Sequence, residues 1–546
     1  MKAAVPERTA SAYGYPLLIK QLLADGLSRA PQQQIVYADS KRLTYREFGE
    51  RVGRLAGALA SLGVKPGDTV AVMDWDTHRY LECFFAVPMM GAVLHTINVR
   101  LSPEQILYSI NHADDDVILV NAEFLAILEQ IRDRLEPGKR FVLMTDGGRA
   151  PSTSLSFVAE YEALLAESSP SFEFPDFDEN TRATTFYTTG TTGLPKGVYF
   201  SHRQLVLHTL ALRGALVGKG PGRVNEGDIY MPITPMFHVH AWGMPYLAVS
   251  LGLKQVYPGR YVPDLLLQLL RREQVTFSHC VPTILQMVLD GAQAKGVDLA
   301  GWTVIVGGAA LTRSLARRAV EMGIDVFAGY GMSETCPVLT LAQLEPRMLA
   351  WDLDRQVEMR CRAGRPVAMV ELRIVDEAMR DVAHDGKSPG EIVARAPWLT
   401  QGYLKDAPNS EKLWAGGWLH TGDIAVIGED GWLKITDRLK DVIKTGGEWV
   451  SSLDLEDLIV KLPSIAEVAV IGVPDPKWTE RPVAVVVAKS GHRVSEAEVK
   501  AHILEFATRG IIPKCGVPDR VIVVDALPRT SVGKLDKKAL RQQYGG

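Results

Sequence analysis

The sequence predicts an α/β protein, with a large N-terminal domain of layered sheets and helices followed by a small mobile C-terminal α+β domain. Three observations support this prediction. The chain has 546 residues, more than one hydrophobic core usually accommodates. Helical and strand patterns alternate through its first third, as in parallel sheets crossed by helices. From about Asp437 onward the pattern changes, and the remaining stretch has the size of a small domain.

The alternation in the first third is explicit. Thr44 and Glu47 have capping-box spacing and open a helix with apolar residues at helical period. TVAVMDW, residues 69–75, follows as a strand. Ser102 then caps a second helix, SPEQILYSINH, and VILVN at 117–121 is typical of a buried strand. Helices and strands therefore alternate as a parallel sheet requires.

The C-terminal stretch contains two strand patterns, EVAVIGV and VAVVVAK, and a capped helix, SEAEVKAHILEFATRG. A charged connector, DRLKD at 437–441, precedes them. We therefore predict a large domain over 1–437, a hinge at 438–441 and a small domain over 442–546.

Composition and charge exclude several classes of function. The net charge of -4 and pI near 6.3 provide no basic footprint for nucleic acid or anionic lipid. The N-terminus has no secretory h-region, and the most apolar window is interrupted by Glu82, Pro88 and His95, so we expect no transmembrane anchor and a cytoplasmic protein. The five cysteines are scattered, without zinc or disulfide spacing.

The loop YTTGTTGLPKG, residues 187–197, combines threonine hydroxyls, one lysine and glycines that let backbone N–H groups approach an anion. This composition suits a polyphosphate. The spacing differs from the Walker A loop, which disfavours a P-loop kinase or GTPase. A surface turn is the alternative, and the local pattern alone does not decide between the two.

Four further segments share the order of a known family: MFHVHAWG at 236–243, GYGMSET at 329–335, WLHTGDIAVIGEDGWLKITDRLKDVIKTGGE at 418–448 and PRTSVGKLDK at 528–537. With the threonine-rich loop, these segments resemble the adenylate-forming (AMP-binding) superfamily of acyl-CoA synthetases, luciferases and peptide-synthetase adenylation domains. The resemblance covers nearly the whole chain. It implies that a carboxylate attacks the α-phosphate of ATP, giving an acyl-adenylate and pyrophosphate, and that the thiol of coenzyme A then takes the acyl group.

The resemblance also implies roles for individual residues. Lys534 is expected to reach the carboxylate and α-phosphate, Glu334 to bind Mg²⁺ and His238 to line or gate the acyl pocket. Lys440 falls at the hinge, where the small domain is thought to rotate between the two half-reactions. Contacts to ATP and coenzyme A are expected from the threonine-rich loop, the turn after TVIVG, the GYGMSET turn, a ribose pair and the KTGGE loop: Thr188, Thr189, Gly190, Thr191, Thr192, Lys196, Gly308, Ala309, Tyr330, Gly331, Thr335, Asp423, Arg438, Lys444, Gly446 and Gly447.

Each role has a physical basis and a plainer alternative. Two anions react in the first step, so positive charge is needed where negative charge accumulates, although Lys534 in a basic tail could simply be solvated. One carboxylate beside ATP phosphates suits Mg²⁺. Asp423 could accept hydrogen bonds from two ribose hydroxyls beside Arg438, or the two could form a strand-edge salt bridge across the predicted hairpin.

The acyl pocket is expected to include His238, Val239, Trp242, Gly307, Gly331 and Met332, with His240 on its wall. An HxH on a strand points both histidines to one face, but no third ligand has recognisable spacing, so zinc is discounted. The segment FHVHAWGMPYLAVSLG is apolar and without arginine, which favours a monocarboxylic acid.

The resemblance is strongest to medium-chain fatty acid:CoA ligases, while ligases of short thioether or aryl acids, a luciferase-like oxygenase and an inactive scaffold remain alternatives. The expected partners are the acid, ATP and coenzyme A, with a homodimer left open. In two places the chain departs from the family: Thr189 replaces the commoner serine, and Trp449 replaces an arginine that some members carry.

Overall fold

The computed structural model describes residues 6–147, 152–188, 194–445, 448–529 and 535–545, with residues 448 and 449 described by their backbone alone. The strands in this part of the chain are, in order, β1 (Gln34–Tyr37), β2 (Lys41–Thr44), β3 (Thr69–Met73), β4 (Val93–Thr96), β5 (Asp115–Asn121), β6 (Arg140–Met144), β7 (Ala159–Glu160), β8 (Arg182–Thr188), β9 (Lys196–Ser201), β10 (Ile229–Ile233), β11 (Lys254–Tyr257), β12 (Phe277–Cys280), β13 (Thr303–Val306), β14 (Asp325–Gly331), β15 (Val338–Leu341), β16 (Arg365–Pro366), β17 (Glu371–Val375), β18 (Gly390–Arg395), β19 (Leu419–Ile427), β20 (Leu433–Arg438), β21 (Ile443–Thr445), β22 (Glu448–Val450), β23 (Ile465–Asp475), β24 (Thr479–Ala488) and β25 (Arg520–Val524).

Helices cover and connect these strands. The α-helices of the described ranges are α1 (Ile19–Arg29), α2 (Tyr45–Ser61), α3 (His78–Met89), α4 (Pro103–Ala113), α5 (Leu125–Ile131), α6 (Tyr161–Ala166), α7 (His202–Leu216), α8 (Val239–Trp242), α9 (Met244–Leu251), α10 (Pro263–Arg272), α11 (Pro282–Lys295), α12 (Arg313–Glu321), α13 (Leu353–Arg360), α14 (Ala407–Leu413), α15 (Ser452–Ile459), α16 (Glu496–Thr508) and α17 (Lys537–Tyr544). Short 3₁₀ turns occupy Ala122–Phe124, Arg132–Arg134, Ser333–Thr335, Pro346–Ala350, Ala415–Gly417 and Lys514–Gly516.

The predicted helix starts are confirmed. Thr44 accepts from the backbone N–H of Glu47 at 3.2 Å while the Glu47 carboxylate accepts from the backbone N–H of Thr44 at 2.7 Å, which caps α2 from both sides. Ser102 and Gln105 cap α4 in the same reciprocal way. No helix in the described ranges is both long and apolar enough to cross a membrane.

The first sheet has seven strands in the order β7-β6-β5-β3-β4-β8-β9. Every pair in it is parallel except β8 and β9, which are antiparallel and pair Thr188 with Lys196. The threonine-rich loop therefore joins two paired strands, and Lys196 begins the second of them.

The second sheet has nine strands in the order β16-β15-β14-β13-β12-β10-β11-β1-β2. Its central strands β14, β13, β12, β10, β11 and β1 are parallel. The carboxyl ends of parallel strands meet at one edge, where ligands of such sheets usually bind. The segments after β10, β12 and β13 therefore come together there.

A four-stranded antiparallel sheet, β17-β18-β19-β20, follows. The hairpin between β19 and β20 turns at Asp430 and Gly431, and Gly431 has φ of +75°, as a tight turn favours. Asp423 and Arg438 are direct register partners across it. The hairpin brings the two strands together, and a register shift between Ile424 and Ala425 places these two residues opposite each other.

The C-terminal sheet contains β22-β21-β24-β23, with β25 parallel to β24. One hydrophobic core extends from Ile19 to Leu433, whereas the two smaller cores lie between Ile443 and Leu540. A large layered domain and a small α+β domain are therefore confirmed. The boundaries at 437 and 442 and the hinge between them stay predictions.

Candidate functional site

The GYGMSET turn joins two groups of polar side chains. It continues from the end of β14 and reaches Glu334 through a 3₁₀ turn. Tyr330, at its start, belongs to one group, and Glu334, four residues later, belongs to the other. Both residues are buried, with 8% of each exposed.

Glu334 forms one group with Tyr403, which contacts it, and Lys196, which contacts the Tyr403 ring. The Tyr403 hydroxyl donates to Oε1 of Glu334 at 2.7 Å, and Nζ of Lys196 lies 4.5 Å from the centre of the Tyr403 ring. Burial raises the pKa of Glu334, while the Tyr403 hydroxyl, Arg438 and Lys196 act against that shift. Within the part of the chain that the structure describes, no other residue donates a hydrogen bond to Oε2 of Glu334.

This arrangement suits a magnesium ion. Mg²⁺ takes one or two protein carboxylates and completes its shell with water and phosphate oxygens. Glu334 offers one carboxylate with Oε1 fixed by Tyr403, and Lys196 supplies a cation on the same tyrosine ring. The donor set therefore fits the predicted metal, and Glu334 is the residue that would hold it.

The second group is built around Asp423. Its Oδ2 accepts from the Tyr330 hydroxyl at 2.8 Å, and its Oδ1 lies 3.2 Å from Nε of Arg438. The Asp423 carboxylate is the leading cause that raises the pKa of Arg438. The structure thus brings the predicted ribose pair together and adds Tyr330, which had been expected among the contacts to ATP and coenzyme A.

Gly331 and Thr335 shape the turn between the two groups. A Cβ on Gly331 would lie 1.7 Å from the carbonyl oxygen of Pro337, so no side chain fits there. The Thr335 hydroxyl accepts from the backbone N–H of Met332 at 2.9 Å and also contacts the carbonyls of Met332 and Pro337. The described contacts of this hydroxyl are therefore within its own loop.

We expect Gly331→Ala to destabilise the protein, because backbone would have to move to admit the methyl group. Such overpacking costs on the order of 1–3 kcal/mol or more. The midpoint of thermal unfolding should fall. Gly214→Ala, in the last turn of α7 with open space around its Cβ position, is the control and should keep or raise that midpoint. A Gly331→Ala protein as stable as the wild type would contradict this account.

A cavity of about 90 Å³ lies at the carboxyl edge of the nine-stranded sheet. Three predicted residues line it: His238, Trp242 and Gly308. The other lining residues come from the segments after β4, β10, β11 and β12 and from the end of β10: Arg100, Ile233, Thr234, Pro235, Tyr261, Val281, Thr283 and Ile284. Arg100 is an unexpected member, because the apolar segment around Trp242 contains no arginine.

The segment from Val239 to Trp242, numbered α8 above, is a single left-handed helical turn, not the strand expected for the HxH. Four consecutive non-glycine residues have φ between 46° and 60°, followed by Gly243 at 72°. Left-handed backbone costs roughly 1–2 kcal/mol for each such residue. This turn directs neighbouring side chains to different places: Trp242 packs against the cavity, while His240 enters the core.

His240 does not line this cavity, in contrast to its expected place on the wall of the acyl pocket, and it is fully buried. The rings of Phe84, Phe186, Phe200 and Tyr246 surround it at centroid distances of 5.2–6.4 Å. Both of its ring nitrogens are buried without a hydrogen-bond partner in the described structure. Burial lowers the pKa of His240 to about 3, so the ring is neutral.

Gly307 and Trp242 are in close contact. A Cβ on Gly307 would lie 3.0 Å from the Trp242 ring and 2.9 Å from the carbonyl oxygen of Gly329. The absence of a side chain at Gly307 therefore lets the indole approach the sheet edge. Val239 is fully buried in the core and Met332 is half-buried, and neither lines the cavity.

The remaining predicted residues lie elsewhere or outside the described ranges. Ala309 is exposed after β13, and Lys440 is exposed just after β20. The backbone N–H of Lys444, on β21, donates to Glu480 at 2.8 Å. Seven predicted site residues fall outside the described residues: Thr189, Gly190, Thr191, Thr192, Gly446, Gly447 and Lys534. Their roles stay predictions.

Tyr403 is a second site residue, after Arg100, that the sequence did not indicate. It follows Gly402 in an irregular segment without helical or strand periodicity, and it lies 69 residues from its partner Glu334. The only signal was its aromatic character in a polar turn, TQGYLKD, which many surface tyrosines share. The fold alone brings Tyr403 to the site.

Comparison with known proteins identifies the family. The AMP-binding enzyme model matches residues 23–404 and the AMP-binding enzyme C-terminal domain model matches 454–534. A long-chain-fatty-acid–CoA ligase of Thermus thermophilus is 42% identical, over 92% of this chain and 90% of its own. A 3-methylmercaptopropionyl-CoA ligase of Ruegeria lacuscaerulensis is 40% identical over 97% of both chains. ATP-bound MatB from Rhodopseudomonas palustris superposes with a TM-score of 0.83 at 25% identity, covering 97% of this chain and 99% of that one. The chain therefore belongs to the AMP-binding enzyme family, as an adenylate-forming acyl-CoA synthetase.

Proposed function

We propose that this synthetase activates a monocarboxylic acid, with medium-chain fatty acids as its first candidates, and releases AMP and pyrophosphate. One observation supports the proposal most directly. The turn from Tyr330 to Glu334 connects the Asp423 group to the Glu334 group, so that a nucleoside and its phosphates could be held by adjacent parts of one loop.

The residues of the two groups have complementary tasks in this proposal. Asp423 accepts hydrogen bonds from the ribose hydroxyls, while Arg438 and Tyr330 hold the carboxylate in place. Lys196 contributes positive charge near the phosphates. A magnesium ion on Glu334 would neutralise phosphate charge when bound. The protein thereby orients the α-phosphate for attack by the acid carboxylate.

Lys534, Lys440 and the KTGGE loop have the roles that the family scheme gives them. Lys534 stabilises the charge that develops between carboxylate and α-phosphate. Rotation at Lys440 then withdraws Lys534 and presents Lys444, Gly446 and Gly447 to coenzyme A. Each half-reaction would use a separate arrangement of the small domain.

The acid would enter the cavity beside His238, Trp242 and Gly308. The two ligases compared above differ widely in the acids they are named for, since one takes long fatty acids and the other a short thioether acid. A medium-chain acid is intermediate in length between these two acids. Trp242 is then the residue expected to limit chain length, because its indole forms part of the cavity wall.

The cavity volume favours a second candidate, a short thioether acid. An apolar cavity of about 150 Å³ accommodates a benzene molecule, and the cavity beside Trp242 is smaller, about 90 Å³. Its volume therefore matches a short acyl tail better than a medium or long one. Longer chains would require displacement of a lining side chain such as Trp242.

The two candidates are separated by carboxylate-dependent release of pyrophosphate from ATP. Straight-chain acids of two to sixteen carbons, 3-(methylthio)propionate, cinnamate and a dicarboxylic acid would each be assayed with and without coenzyme A. We expect release to peak at medium chain length and to yield the acyl-CoA. A peak at 3-(methylthio)propionate would favour the thioether candidate, and a peak at the dicarboxylate would contradict the monocarboxylic proposal and implicate Arg100.

Two other results would reject the ligase proposal altogether. Pyrophosphate release followed by light emission or oxygen uptake, without acyl-CoA, would indicate a luciferase-like oxygenase. Folded protein that binds ATP but releases no pyrophosphate with any acid would indicate an inactive scaffold.

A further inference from the structure

We propose that Tyr403 is a positioning residue that holds two groups of the ATP site at once, with its hydroxyl on the Glu334 carboxylate and its ring under the Lys196 ammonium. The inference deepens the proposed function and rests on it, because Glu334 and Lys196 are the groups expected to meet magnesium and phosphate.

The two contacts of Tyr403 use different parts of its side chain. The hydroxyl donates to Oε1 of Glu334 at 2.7 Å, within the range of charge-assisted hydrogen bonds. Nζ of Lys196 lies 4.5 Å from the ring centre, within the range of cation–π attraction. The hydroxyl binds Oε1, and among the described residues no other side chain donates a hydrogen bond to Oε2. One side chain thus sets the relative placement of a carboxylate and an ammonium that come from distant parts of the chain.

Tyr403 can position Glu334 and Lys196 because hydrogen bonds from neighbouring segments hold its own backbone in place. Tyr403 pairs with Val198 in an isolated antiparallel bridge, and the backbone N–H of Leu404 donates to the carbonyl of Gly197 at 2.8 Å. These contacts join its segment to β9, which Lys196 begins. Its own N–H donates to the Ser410 hydroxyl at 2.8 Å, in α14.

The same segment is also tied to the Glu334 turn. The backbone N–H of Thr400 donates to the carbonyl of Glu334 at 3.0 Å, and the Thr400 hydroxyl donates to the carbonyl of Tyr199 at 2.9 Å. Residues 400–404 therefore connect β9, the strand that follows the threonine-rich loop, to the turn that contains Glu334. Tyr403 projects from the middle of this connection.

Tyrosine makes both contacts with a single side chain. Phenylalanine would keep the ring for Lys196 but lose the donor for Glu334, and leucine would lose both. The two functions can therefore be tested separately. Tyr161 offers a matched control, because its hydroxyl donates to Glu82 at 2.6 Å in the buried N-terminal core, far along the chain from both groups.

The experiment compares the full-length wild type with Tyr403→Phe, Tyr403→Leu and Tyr161→Phe. Steady-state pyrophosphate release would be measured with varied ATP and Mg²⁺, and ATP binding would be measured by calorimetry without acid, at zero and saturating Mg²⁺. We expect Tyr403→Phe to lower kcat on the order of tenfold while the KM for ATP changes by less than about threefold. The gain in ATP affinity caused by Mg²⁺ should shrink. Tyr403→Leu should in addition raise the KM for ATP by about fivefold.

Tyr161→Phe should lower the unfolding temperature and leave these constants unchanged, which separates loss of stability from loss of positioning. A wild-type kcat with a wild-type magnesium effect in Tyr403→Phe would overturn the role of the hydroxyl. Equal KM values for ATP in Tyr403→Phe and Tyr403→Leu would overturn the role of the ring. If the leucine variant does not fold, Tyr403→Met takes its place. If the wild type releases no pyrophosphate with any acid, the ligase proposal fails, but the calorimetry still decides the role of Tyr403.

Discussion

Glu334→Gln is expected to lower kcat for pyrophosphate release on the order of hundredfold while the protein stays folded. Glutamine keeps an oxygen for the Tyr403 hydroxyl, so the hydrogen bond that fixes this side chain survives. What it removes is the negative charge that a magnesium ion requires. The loss should therefore appear in turnover and in the magnesium concentration needed for half-maximal rate.

The stability of this variant provides a second readout. Burial raises the pKa of Glu334, which means that the ionised carboxylate is disfavoured in the folded state. A neutral glutamine avoids this cost, so the unfolding temperature should stay the same or rise, as is common for residues kept for function. Glu345→Gln, at a surface carboxylate paired with Arg347 and Arg365, is the control and should retain wild-type turnover. A fully active Glu334→Gln enzyme would remove Glu334 from the metal site.

The parts of the fold that depend on local sequence were predictable. Capping boxes at Thr44 and Ser102 involve residues three apart, so their donors and acceptors can be seen in the sequence itself. The hairpin that brings Asp423 near Arg438 was predicted from its Asp430–Gly431 turn, although a register shift between Ile424 and Ala425 is needed to make the two residues direct partners. In each case a short segment determines its own geometry.

Features that depend on distant contacts were not predictable. The left-handed turn at residues 239–242 carries none of the glycine or asparagine residues that usually mark positive φ, and it forms where His240 is surrounded by four aromatic rings from elsewhere in the chain. Tyr403 meets Glu334 and Arg100 reaches the cavity for the same reason, since separate strands of the fold bring them there. Tertiary packing decided these positions against local preference.

These contacts also explain why the resemblance to a family was needed for the chemistry. A buried glutamate, a lysine at the start of a strand and a paired aspartate and arginine are each common in proteins of no related function. Their combination becomes informative only when the turn from Tyr330 to Glu334 joins them. The structure therefore explains why these motifs occur together in one chain: their residues meet on either side of a single turn.

Lys534→Ala is expected to lower pyrophosphate release on the order of hundredfold or more while ATP affinity changes little, because the lysine is needed where charge develops between the carboxylate and the α-phosphate. In the proposed cycle Lys534 is withdrawn before coenzyme A reacts, so the variant should still convert a supplied acyl-adenylate into acyl-CoA at close to the wild-type rate. Lys538→Ala removes a neighbouring cation of the same basic segment and serves as the control, since it should affect neither half-reaction. Equal losses in both half-reactions would show that Lys534 supports the fold or the closed domain arrangement generally. Normal pyrophosphate release would exclude it from the chemistry, and the positive charge would then have to come from Lys196 and Arg438.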